Sequence, residues 1–165
     1  MPFQVARFAD LGKSGEGGVT RSTLGADANG NLYAQSDVTI NSGSKGTALD
    51  ADVGHEGSHV ADAQDMVKSI VVTGSSFKPG TDISQYSSEQ RAYRVTDSIY
   101  RSANEPYYGC ADAKCALGAG SSPLGIGGRI DNILLAHPEL YHSPDGRPLT
   151  STNQGTNVLN LTVPH

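Results

Sequence analysis

The chain has 165 residues, a net charge of −5, 20 glycines and no tryptophan. That length suits one domain spanning residues 1 to 165, with a modest core and much of its surface in loops. There is no cluster of Lys or Arg to grip phosphate backbones or anionic lipid, and no apolar run approaches bilayer-spanning length, so neither a nucleic-acid partner nor a membrane span is expected.

Met1 to Leu11 lack the basic start and apolar middle of a secretory signal, and Met1-Pro2-Phe3 reads equally well as a boundary cut from a larger protein. Gly12 to Gly18 lack the Gly-Lys-Ser/Thr ending of a phosphate loop and read as a flexible lead-in. Asn29-Gly30 suits a two-residue hairpin turn joining two short strands. The second strand runs from about Leu32 to Ile40, with Leu32, Ala34, Val38 and Ile40 on one face, interrupted by Ser36. Its end near Ile40 is expected to offer an unpaired edge to an extended peptide.

A helix is predicted from Thr47 or Ala48 until it runs out at Ile70 to Thr73, carrying His55-Glu56-Gly57-Ser58-His59. Histidines four apart lie one turn above each other on a helix and can share one metal ion, with Glu56 beside it as general base. Leu49, Val53, Val60, Ala63, Val67 and Val71 form an apolar stripe at 100° per residue, and His55, His59, Asp62 and Met66 form a second stripe. A helix buried on two sides fits both. Gly54 and Gly57 each lower helix propensity by roughly 1 kcal/mol, so packing or close approach must explain them; Gly57 is expected to leave room above a metal.

Gly74 to Gly80 read as loop, and Ser87-Ser88-Glu89-Gln90 has the spacing of a capping box opening a second helix through Ser102. Glu89, Ala92, Tyr93, Thr96 and Tyr100 share a face of it. Cys110 and Cys115 sit in an irregular segment where a local disulfide is the expected reading, against two free thiols. A short helix from Arg129 to Ala136 stops at Pro138, and the tail is loop with a closing strand at Val158 to Val163.

Catalytic zinc usually takes three protein ligands. Asp65 stands six residues past His59, where some His-Glu-x-x-His enzymes place a ligand, but Asp62 occupies the position at which those enzymes need a turning glycine. On a continuing helix Asp65 points about 120° away from His59. Glu89, on a separate helix with the small Ala92 one turn on, is the stronger third ligand; Glu105, Asp97 or water remain as alternatives.

With Glu89 in place, residues 32 to 103 resemble the gluzincin class of metallopeptidases, in which a glutamate on a downstream helix completes the site. The run from Gly54 to Ala63, followed by Ser88-Glu89 and Ala92-Tyr93, is similar to the small metallopeptidase domains at the ends of bacterial polymorphic toxins and secreted effectors. The resemblance implies a small α+β zincin-like domain: short antiparallel strands, a His-Glu-x-x-His helix, a ligand-bearing second helix and a loop-rich C-terminal part. It implies a Zn2+-dependent peptidase acting on polypeptide, delivered by a carrier or secretion system and held in check by an inhibitor or immunity protein.

Glu56 would then move the proton of a zinc-activated water. An oxyanion donor could come from Tyr93, Tyr100, His137, His142 or Arg129, and Asp62 could accept a hydrogen bond from a ligand or from the Glu89 helix. Two rivals remain: a zinc amidase acting on peptidoglycan, and a non-catalytic module that metal merely clips together.

Overall fold

A computed structural model describes residues 4–11, 17–73, 76–107, 116–117 and 125–161. Most of the Gly12 to Gly18 stretch, both cysteines and the end of the expected closing strand lie outside these residues. The described part is mixed α+β. A three-stranded sheet is built from β1 (Gln4–Ala9), β2 (Gly18–Ala26) and β3 (Leu32–Asn41) in the order β1-β3-β2, with β1 parallel and β2 antiparallel to β3.

β3 is therefore the central strand, paired on both sides at Ile40, and the unpaired edge expected there falls instead to β1 and β2. Alternation places Ala34, Ser36 and Ile40 inward, where they are buried. Ser36 does not break the face, because its hydroxyl pairs with that of Ser22 across the strands at 2.8 Å. The hairpin has a wider connection than two residues. Asp27 and Asn31 close it, Gly30 N–H donates to Asp27 O, and only Gly30 takes a positive φ, of 82°. β1 was not foreseen, since its pattern is too short to stand out from a polar lead-in.

Helix α1 (Thr47–Lys68) lies on the inward face of the sheet and packs along α2 (Gln85–Ala103). It ends earlier than its apolar period suggests. Ser69 turns the chain, its hydroxyl donating to Met66 O at 2.6 Å and accepting from Thr81 N–H at 2.9 Å. Ile70 to Thr73 are four successive β-branched residues, which favour strand over helix. They form β4 (Ile70–Thr73), paired with β5 (Ser76–Pro79), and leave Val71 exposed. Val53 is also half-exposed, so the apolar stripe is shorter than predicted: Val60, Ala63 and Val67 are its buried members.

α2 begins three residues before the predicted start, capped by Ser84, whose hydroxyl accepts from Ser87 N–H at 3.1 Å. Gln90 closes no capping box; its amide donates to Asp131 Oδ1 at 2.6 Å and ties α2 to α3 (Gly125–Ala136). Glu89 consequently stands in the second turn. Near the C-terminus, Asn157 bridges to Ser84, but Val158 and Leu159 make a turn and no strand follows them within the described residues.

Two apolar clusters hold these elements. One gathers Ala51, Tyr93, Tyr100, Leu117, Ile130 and Leu134; the other gathers Ala34, Ala63, Met66, Val67, Ile83 and Leu159. α1 enters the first through Ala51 and the second through Ala63, Met66 and Val67. His55 and His59 fall between them along the helix.

Candidate metal centre

Gly54 brings the two long helices together. A Cβ there would lie 2.5 Å from Ile99 Cδ1 and 3.1 Å from Val95 Cγ1, so the α2 side chains fill the space that a side chain at 54 would need. Gly57 does something else: nothing lies within 4 Å of where its Cβ would be, and it is exposed on the face toward β1, away from the histidines. It makes no room for a metal.

The close helices set Glu89 against the two imidazoles. His55 Nε2 is 3.4 Å from Glu89 Oε2, and His59 Nε2 is 3.5 Å from Glu89 Oε1. These separations are long for a charge-assisted hydrogen bond, which closes to about 2.7–2.9 Å. Glu89 Oε2 is buried and accepts no hydrogen bond. An orphaned carboxylate oxygen is costly unless a cation faces it. His55, His59 and Glu89 form a group that could hold a metal ion, with one ligand atom from each lying within 4.8 Å of the others. Each Nε2 stands from the Glu89 oxygen nearest it at the roughly 3.3 Å separation of two ligands sharing one zinc ion.

The other ring nitrogens point the same way. Ser88 Oγ donates to Asp62 Oδ2 at 2.6 Å, so its oxygen is left to accept from His59 Nδ1–H at 2.7 Å. Thr96 Oγ1 donates to Ala92 O at 3.3 Å and accepts from His55 Nδ1–H at 3.2 Å. Both imidazoles thus commit Nδ1–H outward and present Nε2 to the carboxylate. Burial disfavours a charged His55, yet the negative charge of Glu89 beside it outweighs burial and draws that histidine's pKa up; burial prevails at His59 and pushes it down. Burial would raise Glu89 too, but His59 and His55 hold it below the usual carboxylate range.

Glu56 lies beside this group without belonging to it. Burial pushes its carboxyl up to about 7, against the pull of His55 and of Thr20, whose hydroxyl donates to Oε2 at 2.7 Å. Gly18 is required next to it, since a Cβ there would stand 2.5 Å from Glu56 Cγ. Two residues of β2 therefore seat the Glu56 side chain.

Tyr93 packs edge-on to His55, with ring centroids 4.8 Å apart, and its hydroxyl meets that of Tyr141 at 2.6 Å. Burial pushes Tyr93 up to about 12 and Tyr141 higher still, so both stay protonated. These residues line a cleft of about 970 Å³ that also takes in His142, His137 and Arg129. Tyr100 is not among them: it stacks edge-on to Tyr107 at 4.9 Å in the core. Asp65 is a surface residue bonded to Lys68, Asp97 is bonded to Arg101, and Glu105 is exposed, so none of the three joins the ligand group.

Sequence reasoning passed over Thr20 and Tyr141, and took Ser88 only as part of the capping run and of the resemblance, and Thr96 only as a face residue. Ser88, Ala92 and Thr96 recur every four residues, a small-residue face that could have marked the partners of the histidine helix. Tyr141 carries no such signal. No protein-family model, curated protein or solved structure matches the chain.

Proposed function

We propose that the protein is a zinc-dependent hydrolase of peptide bonds, with His55, His59 and Glu89 holding the ion and Glu56 as general base. The observation that carries this reading is a buried carboxylate whose two oxygens each face the Nε2 atom of an imidazole, one of those oxygens having no hydrogen-bond partner, while both Nδ1 atoms are engaged elsewhere. Zinc bound by such a set supplies a Lewis acid that lowers the pKa of a water toward neutrality and polarises a carbonyl.

Glu56, seated beside the ligand group by Gly18 and Thr20, would take a proton from that water and return it to the leaving amine. The hydroxyl of Thr20 engages one carboxylate oxygen and leaves the other for the proton. Tyr93 and Tyr141 share one hydrogen bond between two hydroxyls, so one O–H remains to donate toward the oxyanion of a tetrahedral intermediate. β2 is an edge strand, and residues 17 to 23 line the cleft, which suits an extended chain added alongside it. That edge favours polypeptide over a cell-wall amide. Delivery by a carrier and restraint by an inhibitor belong to this reading through the family resemblance.

The test is hydrolysis of an unstructured polypeptide by zinc-loaded wild type beside Glu56→Gln. The variant should keep its zinc and lose about 10²- to 10⁴-fold in turnover. Equal activity in both would remove Glu56 from the chemistry. Turnover of cell-wall fragments but not polypeptide would replace peptidase with amidase.

A further inference from the structure

The two histidines are supported unequally. The hydrogen bond from His55 Nδ1 passes through Thr96 to the backbone carbonyl of Ala92, a neutral end. The one from His59 passes through Ser88 to Asp62, a carboxylate only 5 % exposed, whose second oxygen faces Arg91 Nε at 3.2 Å. A carboxylate buried to that degree on α1 is costly unless its partners use its charge. Ser88 is 1 % exposed, so neither of the two contacts it makes is replaced by water.

We infer that Ser88 and Asp62 are positioning residues that fix the His59 ring and enrich its Nε2 as a metal ligand, with Arg91 as the surface counter-charge that tempers them. The inference rests on the zinc reading above. A negative charge at the end of a chain of hydrogen bonds polarises every member toward the ring, which strengthens the ligand at its far nitrogen. Arg91 is half-exposed and pulls the opposite way, since its positive charge offsets the field of Asp62 at the ion. A purely structural ion pair predicts the same sign of effect from losing either partner. A positioning relay predicts a loss of affinity without Ser88 or Asp62 and no loss without Arg91.

Zinc affinity, measured on the full chain by competition with a chromophoric chelator, separates the two. Ser88→Ala, which leaves the His59 Nδ1–H and Asp62 Oδ2 without their partner, should weaken zinc binding about 10- to 100-fold. Asp62→Asn keeps the size and an acceptor for Ser88 but removes the charge, and should weaken it in the same range. Arg91→Gln should bind zinc as tightly as wild type or tighter. Because Arg91 lies at the surface, this variant decides the matter even if Asp62→Asn fails to fold. Weakened binding in Arg91→Gln, or Ser88→Ala and Asp62→Asn within twofold of wild type, overturns the inference while leaving the zinc site standing. A wild type that binds no zinc overturns both.

Discussion

Glu56 is the residue where burial and chemistry meet most directly. Its folded pKa is raised to about 7, chiefly by burial, so in the metal-free protein the neutral carboxyl is the form the fold prefers. The sign follows: its contribution is fully present below the ordinary carboxylate value and is lost as pH rises through about 7. Glu56→Gln, neutral at every pH, should stabilise the metal-free protein by up to ~3 kcal/mol near pH 8 and by less than ~1 kcal/mol near pH 5. Thermal melts at the two pH values check this; an equal change at both would mean that the carboxyl is not held in the environment described. Tyr141 makes a second residue-scale prediction. Tyr141→Phe removes one hydroxyl of the pair, and turnover should fall about 10- to 100-fold with KM little changed, as expected for a donor that acts in the transition state. A rise in KM at constant kcat would assign Tyr141 to substrate binding instead.

Glycine chemistry decides how the elements fit. Gly57 has open space where a side chain would begin, so Gly57→Ala should gain the helix propensity of alanine, about 1 kcal/mol, and melt higher with zinc binding unchanged. A lower melting temperature would mean that the face toward β1 is tighter than it looks. Gly18→Ala has the opposite character: its Cβ would strike Glu56, so hydrolysis should drop at least about tenfold while zinc is retained. The two helices at the centre were legible in the sequence because the side chains of their facing sides repeat every turn: His55, His59, Asp62 and Met66 on one, and Glu89, Ala92, Tyr93 and Thr96 on the other. The end of α1 was not, because hydrophobic period alone carries valines into a helix and ignores the strand preference of Ile70 to Thr73. The start of α2 was misplaced for a related reason. Several serines precede it, and the one that caps is chosen by the loop that also brings Gln154 and Asn157 to Ser84.

At the scale of the whole molecule, the site is assembled from pieces far apart in the chain. Strand β2 seats Glu56 through Gly18 and Thr20, α1 and α2 supply the ligand group, and Tyr141 arrives from beyond α3 to meet Tyr93. The ligand group was readable because two of its members share one motif and the third announces itself as an acid on a helix face. The supporting contacts were not, because a pairing such as Thr20 with Glu56 or Tyr93 with Tyr141 follows from how elements dock and leaves no local periodicity. The same docking put β3 between β1 and β2, so β2 is one of the two edges of the sheet and the one that lines the cleft. The account stands on the claim that these parts converge to hold one metal ion. Its most direct test is the zinc content of purified wild type beside Glu89→Ala after dialysis against a weak chelator. The account predicts one zinc per chain in wild type and a large loss in the variant; no zinc in wild type, or zinc retained equally by both, would contradict it.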